Sequence, residues 1–136
     1  MFGKTVTNNK PQNRIDSLVG AGTLIDGDIT FSGGLRIDGE VRGNVRGVAD
    51  KPSTLVLSEN ARVEGEISVS HVVINGTVIG PVRAGEFLEL QSRARVTGDV
   101  EYSTIEIHLG AVVQGRMVHQ AMPGKTVELK LAANNS

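Results

Sequence analysis

The residues that could carry out chemistry in this chain are few and widely separated. The three histidines, His71, His108 and His119, fall at different phases of the pattern described below. A metal centre needs several donors at short, fixed spacings, and none of the three has a partner at such a spacing. Cysteine is absent, which removes disulfides and thiolate metal sites. The sequence therefore predicts no metal site, no cofactor and no catalytic residue.

Two glycine-containing segments resemble fragments of nucleotide-binding motifs. Gly124-Lys125-Thr126 matches the end of a phosphate-binding loop, but His119 occupies the position of the required upstream glycine. Gly20-Ala21-Gly22 lacks the third glycine of a dinucleotide fingerprint. Neither segment has the strand-then-helix context that such a motif needs. We therefore expect no nucleotide site.

The charged residues indicate neither a catalytic pair nor a nucleic-acid surface. Asp28, Glu66 and Asp99 each stand one place after a recurring glycine, beside a predicted corner, where we expect solvating charges. The 14 Lys and Arg residues nearly balance the 15 Asp and Glu residues, giving a net charge of -1. This balance offers no electrostatic basis for binding nucleic acid. The sequence thus predicts that the protein is not an enzyme and has no nucleic-acid partner.

The elements that would position these residues follow from an internal repeat, which is the strongest signal in the chain. Short apolar-polar alternations are interrupted by glycine, a pattern typical of short strands joined at corners. A recurring glycine marks the repeat: Gly27, Gly43, Gly65, Gly80, Gly98 and Gly115. Two places before it stand Ile25, Val41, Val63, Val78, Val96 and Val113. Two places after it stand Ile29, Val45, Ile67, Val82, Val100 and Met117.

A third inward pair begins each repeat and completes the pattern of a three-stranded coil. These pairs are Ser17/Val19, Leu35/Ile37, Leu55/Leu57, Val72/Ile74, Leu88/Leu90 and Ile105/Ile107. β-Branched residues on one face, with glycine at a bend, suit coils that stack on one another. The sequence therefore predicts an all-β, single-domain β-solenoid of about six three-stranded coils over residues 17–118. An extra corner loop is expected at 47–54, where Pro52 is tolerated.

The segments flanking the solenoid lack this pattern. Residues 1–16 are predicted to form a disordered tail, and residues 119–136 a second tail in which 126–131 either adds a strand or stays mobile. Met1 and Phe2 are apolar and Lys4 is cationic. This N-terminal tip is either an ordinary start of the chain or a segment that contacts anionic lipid. No long apolar run or signal peptide is present, so we expect a cytoplasmic protein.

The two ends of the predicted solenoid lack helical caps. Unpaired backbone groups around an apolar interior favour end-to-end stacking into a filament, which would form without nucleotide. Many membrane-contacting tips on one filament would bind a membrane with avidity. The residues expected at the polymerisation interface belong to the terminal coils: Leu18, Val19, Leu24, Ile107, Val113, Met117 and Val118.

These motifs resemble a known family. Leu-x-Ile-x-Gly-x-Val-x-Gly-x-Val at 35–45, Ala-Arg-Val-Thr-Gly-Asp-Val at 94–100 and the Met-Phe-Gly-Lys start are similar to those of the bactofilins. The resemblance implies a right-handed β-helix and nucleotide-independent, apolar filaments on the cytoplasmic face of the inner membrane. It also implies a scaffold in cell shape, with cell-wall enzymes or other morphogenesis proteins as partners.

Two other functions fit a solenoid. A left-handed β-helix acyltransferase keeps a strict hexapeptide period and a catalytic histidine, whereas the glycine separations here range from 15 to 22 residues and no histidine recurs. A monomeric solenoid binding module of the adhesin or carbohydrate-binding type would be expected to carry a secretion signal and aromatic platforms. The sequence therefore favours a filament-forming scaffold.

Overall fold

The computed structural model describes residues 14–121, which form fifteen strands and contain no helix. The strands are β1 (Ser17–Val19), β2 (Leu24–Asp26), β3 (Ile29–Phe31), β4 (Gly33–Ile37), β5 (Glu40–Arg42), β6 (Val45–Gly47), β7 (Ser53–Leu57), β8 (Arg62–Glu64), β9 (Ile67–Ile74), β10 (Thr77–Ile79), β11 (Val82–Leu90), β12 (Arg95–Thr97), β13 (Val100–Ile107), β14 (Val112–Gln114) and β15 (Met117–His119). The three-residue strands are as short as the glycine-interrupted alternation predicts.

The strands pair in parallel, each with its counterpart in the next coil, and so form three faces. The first face stacks β1, β4, β7 and the second halves of β9, β11 and β13. The second stacks β2, β5, β8, β10, β12 and β14. The third stacks β3, β6, the first halves of β9, β11 and β13, and β15. This arrangement confirms the predicted all-β solenoid of about six coils.

The pairing register confirms the predicted inward columns. Val63 pairs with Val41 and Val78, and the other members of its column follow the same order. Side chains at these positions point inward, because successive residues of a strand alternate between its two faces. The resulting core is narrow and aliphatic, and its largest fully buried members are Ile37, Leu55, Leu57, Ile67, Ile74, Leu88 and Leu90.

The recurring glycine is required at the corner between the second and third faces. Gly98 has a φ of 143°, which side-chain-bearing residues rarely adopt. A Cβ added to Gly98 would also lie 2.7 Å from the carbonyl carbon of Gly80 in the preceding coil. Gly27, with a φ of 149°, has nothing within 4 Å of the same position, because no coil precedes it. The corner therefore needs glycine both for its conformation and for close stacking of coils.

The extra corner loop is shorter than the sequence suggested. The prediction of a loop over 47–54 is wrong at both ends, because β6 ends at Gly47 and β7 begins at Ser53. Ser53 and Thr54 are buried, and Thr54 pairs with His71 in the next coil. The strand therefore continues to the corner, and only residues 48–52 lie between the two strands.

Most of the two predicted tails, residues 1–13 and 122–136, lies outside the described range, as do the membrane-contacting tip at Met1, Phe2 and Lys4 and the alternating segment at 126–131. Within residues 14–121, no helix is long and apolar enough to span a membrane. The last strand, β15, ends at His119, and the Gln120 N–H donates a further backbone hydrogen bond to the Tyr102 carbonyl at 2.7 Å.

Candidate functional site: the two ends of the solenoid

The C-terminal coil leaves the inward columns open. Leu90 and Val100 are fully buried, whereas their successors Ile107 and Met117 are 51% and 40% exposed. Val113, the third inward residue of this coil, is only partly buried against the core. No coil follows to cover these side chains in the described chain. We call Ile107, Val113 and Met117 the C-terminal end surface.

The N-terminal coil is less open. Val19, which was expected at the assembly interface, is only 8% exposed and belongs to the core. Ile25 and Ile29, the first members of the other two inward columns, are partly buried. The preceding segment adds to the ladder, since the Asp16 N–H donates to the Gly34 carbonyl at 2.8 Å.

The other residues expected at the interface lie on the sides of the terminal coils. Leu18 is in register with Arg36, and Leu24 with Glu40, so both occupy outward columns. Val118 likewise continues an outward column, beside Glu101. The structure thus places Val19, Ile107, Val113 and Met117 in inward columns, and Leu18, Leu24 and Val118 around the perimeter.

At both ends, outward positions that are charged in the neighbouring coil become apolar. Leu18, in register with Arg36, is 59% exposed, and Val112 is exposed beside Arg95. We call Leu18, Leu24, Val112 and Val118 the apolar rim. Exposed apolar residues are unremarkable one at a time, but four of them on the two terminal coils mark a surface suited to association.

Sequence reasoning missed two exposed residues of the last coil, Leu109 and Val112. Leu109 is 95% exposed and occupies the turn position that Glu59 and Ser92 hold in earlier coils. The signal was available, because the same alignment of coils that defines the inward columns also shows where a polar position becomes apolar.

The second face of the interior coils carries ion pairs, in contrast to the rim. On the second face the Arg62 guanidinium contacts the Glu64 carboxylate at 2.8 Å, and the Arg42 guanidinium contacts the Glu40 carboxylate at 3.1 Å. Arg62 and Glu40 are register partners, and their side chains are 4.0 Å apart. Exposed ion pairs contribute little stability, but they keep this surface hydrated.

The terminal strands also present unpaired backbone groups. β1 and β15 end the first sheet, and β2 and β14 end the second. The second half of β13 pairs with β11 on one side, while β15 continues only along its first half, to Tyr102. Within residues 14–121 no helix covers these edges. An exposed edge strand with apolar side chains is a template for pairing with another chain.

Aspartates beside the corners accept hydrogen bonds from backbone N–H groups and are not only exposed charges. Asp28 and Asp99 each accept a hydrogen bond from a backbone N–H one coil later, from Asn44 at 2.8 Å and Arg116 at 3.0 Å. Asp16 accepts one from the Gly34 N–H at 2.9 Å, and this bond lowers the pKa of its carboxyl group. The expectation that Asp28 and Asp99 are merely solvating charges is therefore wrong.

The histidines are not all isolated. His108 Nε2 lies 2.9 Å from a carboxylate oxygen of Glu106 and 3.3 Å from one of Glu89, so this histidine has acidic neighbours that spacing along the chain did not indicate. Glu89 and His108 are far apart in sequence, and only the coil register brings them together. His71 lies 3.6 Å from Glu86, and the His119 ring is 5.8 Å from that of Tyr102.

Comparison with known proteins identifies the family that this chain resembles. Residues 17–118 match the family model described as "Bactofilin: Polymer-forming cytoskeletal". The chain is 30% identical over 102 residues to Bactofilin BacP and to Bactofilin BacO, both of Myxococcus xanthus (strain DK1622). The alignment covers 75% of this chain in each case, but 41% of BacP and 78% of BacO. No solved structure matches the chain.

Proposed function

Because the chain belongs to the bactofilin family, whose members are structural, polymer-forming cytoskeletal proteins, we propose that it assembles into filaments by end-to-end stacking of its solenoids. Assembly requires no nucleotide or other cofactor, and the protein is its own principal partner. Membership of a structural family favours this function over a hexapeptide-type acyltransferase or a monomeric binding module.

The observation that supports end stacking is the change in exposure at the last coil. Ile107 and Met117 continue columns that are fully buried one coil earlier, so a stacked second copy would complete their burial. Burying a whole aliphatic side chain contributes about 1.5–3 kcal/mol, so each half-exposed residue has about 1 kcal/mol still to gain. The apolar rim and the unpaired edge strands add contacts around this centre.

Sedimentation of the purified full-length chain, without nucleotide, tests this proposal. Ile107→Arg places a charge in the C-terminal end surface, and we expect it to keep the protein in the supernatant while the parent pellets. Thr97→Arg is the matched control, because Thr97 is exposed on the side of the coil before the last, and it should pellet like the parent. Pelleting of Ile107→Arg at the parental level would contradict end stacking through this surface.

Attachment to membrane is the second part of the proposal. The filament lies on the cytoplasmic face of the inner membrane, holds anionic lipid through Met1, Phe2 and Lys4, and positions cell-wall enzymes or other morphogenesis proteins. The apolar, cationic composition of the tip supports the lipid contact, since cations near an anionic surface contribute about 1 kcal/mol each. Repetition of a weak contact along a polymer gives avidity.

Vesicle flotation separates this contact from assembly. Deletion of residues 2–4 should release the protein from anionic vesicles, which are recovered by flotation so that pelleted filaments are not counted. Filament sedimentation without vesicles should be unchanged. Vesicles of neutral lipid serve as the control for the parent. Equal flotation of the parent and the deletion variant with anionic vesicles would contradict the lipid contact.

A further inference from the structure

Two carboxylates stand directly opposite each other near the C-terminal end. Glu89 on β11 and Glu106 on β13 are register partners on the outer side of the first face. Neighbouring strands are about 4.8 Å apart, and like charges directly opposite one another are destabilising. Every other pair of charged register partners in residues 14–121 joins opposite signs: Asp26–Arg42, Glu40–Arg62, Arg42–Glu64 and Arg83–Glu101.

The group between these carboxylates is a histidine. His108 Nε2 lies 3.3 Å from Glu89 and 2.9 Å from Glu106. Among residues 14–121, no lysine or arginine forms an ion pair with either glutamate. The His108 ring offers only one nitrogen, Nε2, to the two carboxylates. The two neighbouring carboxylates are therefore suited to binding a cation.

The ligand atoms are arranged for a small divalent ion. One atom from each of Glu89, Glu106 and His108 lies within 4.8 Å of the others. Four-coordinate zinc bonds these ligand types at about 2.0–2.2 Å, which places neighbouring ligand atoms about 3.3 Å apart. The Gln91 side-chain amide donates a hydrogen bond to Glu89 at 3.1 Å and so restricts the carboxylate that would bind the ion.

From this geometry we propose that Glu89, Glu106 and His108 bind a divalent first-row transition-metal ion, of which Zn²⁺ is the representative. Imidazole together with carboxylates suits such ions better than Mg²⁺ or Ca²⁺, which prefer oxygen ligands alone. Three protein ligands leave one coordination position for water. The bound ion links β11 to β13 beside the C-terminal end surface and relieves the repulsion between the two carboxylates.

Zinc uptake by the full-length chain tests the site, measured by competition with a chromophoric chelator in buffer free of other metals. The parent should take up one equivalent of Zn²⁺, and His108→Ala and Glu106→Gln should lose it. Gln91→Ala should retain the site with roughly tenfold weaker binding, as expected when a group that orients a ligand is removed. His119→Ala is the matched control, because His119 is exposed elsewhere on the last coil.

Two results would overturn this assignment. One is a parent that takes up no Zn²⁺ under these conditions, which would show that the three side chains do not form a metal site. The other is equal loss of uptake in His108→Ala and His119→Ala, which would indicate binding by surface histidines in general. Sedimentation in metal-free buffer is scored in the same preparations, so the metal site and filament assembly can fail separately.

Discussion

Leu57 and Ile107 occupy the same inward column of the first face, three coils apart. Leu57 has a coil on each side and is fully buried, whereas Ile107 has a coil on one side only and is half exposed. The residues are similar in size and hydrophobicity, so the difference arises from the missing neighbour. In a stacked fold, each coil completes the burial of the one before it. The end coils are therefore the sites where a second copy gains most.

The two ends also differ from each other. The inward residue that begins the column, Val19, is nearly buried, whereas the residue that ends it, Ile107, is not. At the N-terminal end, Asp16 adds one backbone and one side-chain hydrogen bond to Gly34. The C-terminal coil is the more open of the two, and we expect substitutions there to have the larger effect on assembly.

The largest expected effect is the difference in unfolding free energy lost by a substitution in the interior and by one at the C-terminal end. Leu57→Ala should lower the free energy of unfolding by about 2–5 kcal/mol, because it opens a cavity in a closed core. Ile107→Ala should lower it by less than about 1.5 kcal/mol, since much of the side chain is already in water. Urea unfolding followed by circular dichroism, in an unassembled background carrying Met117→Arg, measures both. Equal losses would mean that burial at the two positions does not differ as the structure indicates.

Corner glycines offer a second comparison between an interior and a terminal coil. Gly27→Ala and Gly98→Ala both force a side chain into a left-handed conformation, at a cost of about 1–3 kcal/mol. Only Gly98→Ala also meets the preceding coil, which should add about 1–3 kcal/mol for overpacking. Thermal unfolding of the two variants gives the difference. Identical melting temperatures would indicate that close stacking at the corner contributes nothing.

The smallest effect concerns acid stability. A hydrogen bond from the Arg36 guanidinium, and a weaker one from Ser58, lower the pKa of Asp38 in the turn after β4. At the N-terminal end, the Gly34 N–H lowers the pKa of Asp16. A carboxyl group whose pKa is lower in the folded state stabilises the fold above its unfolded pKa of about 3.9. That contribution disappears as the pH falls through the folded pKa.

Replacing either residue by asparagine should therefore reduce the loss of stability between neutral pH and about pH 2. The urea midpoint, recorded at several pH values, measures this loss. Arg46 provides a control site, because it is an exposed residue on the third face, and Arg46→Gln should retain the parental acid dependence. An unchanged acid dependence in both asparagine variants would show that these carboxyl groups do not couple protonation to folding.

Much of the fold could be predicted because each coil repeats the packing of the coil before it. An apolar residue two places from each glycine meets the same neighbours in every coil, so six weak patterns reinforce one another. The inward columns were predicted correctly for that reason, down to register partners such as Val63 and Val78. The corner loop was placed too widely, because Pro52 marks a loop without showing that Ser53 already returns to the ladder.

The ends and the side-chain clusters were harder to predict. The difference between Val19 and Ile107 depends on which side of a coil is uncovered, and apolar periodicity carries no information on that point. Leu109 could have been found by comparing turn positions between coils. The contact of His108 with Glu89 depends on pairing across a coil and on side-chain direction, so motif spacing along the chain could not reveal it.

Negative-stain electron microscopy of Met117→Arg beside the parent, in buffer without nucleotide or metal, tests end stacking most directly. Circular dichroism of the same samples reports whether the solenoid is intact. We predict filaments in the parent, and short, discrete particles with unchanged β-structure in the variant. Filaments of parental length in a folded Met117→Arg protein would contradict assembly through the C-terminal end surface.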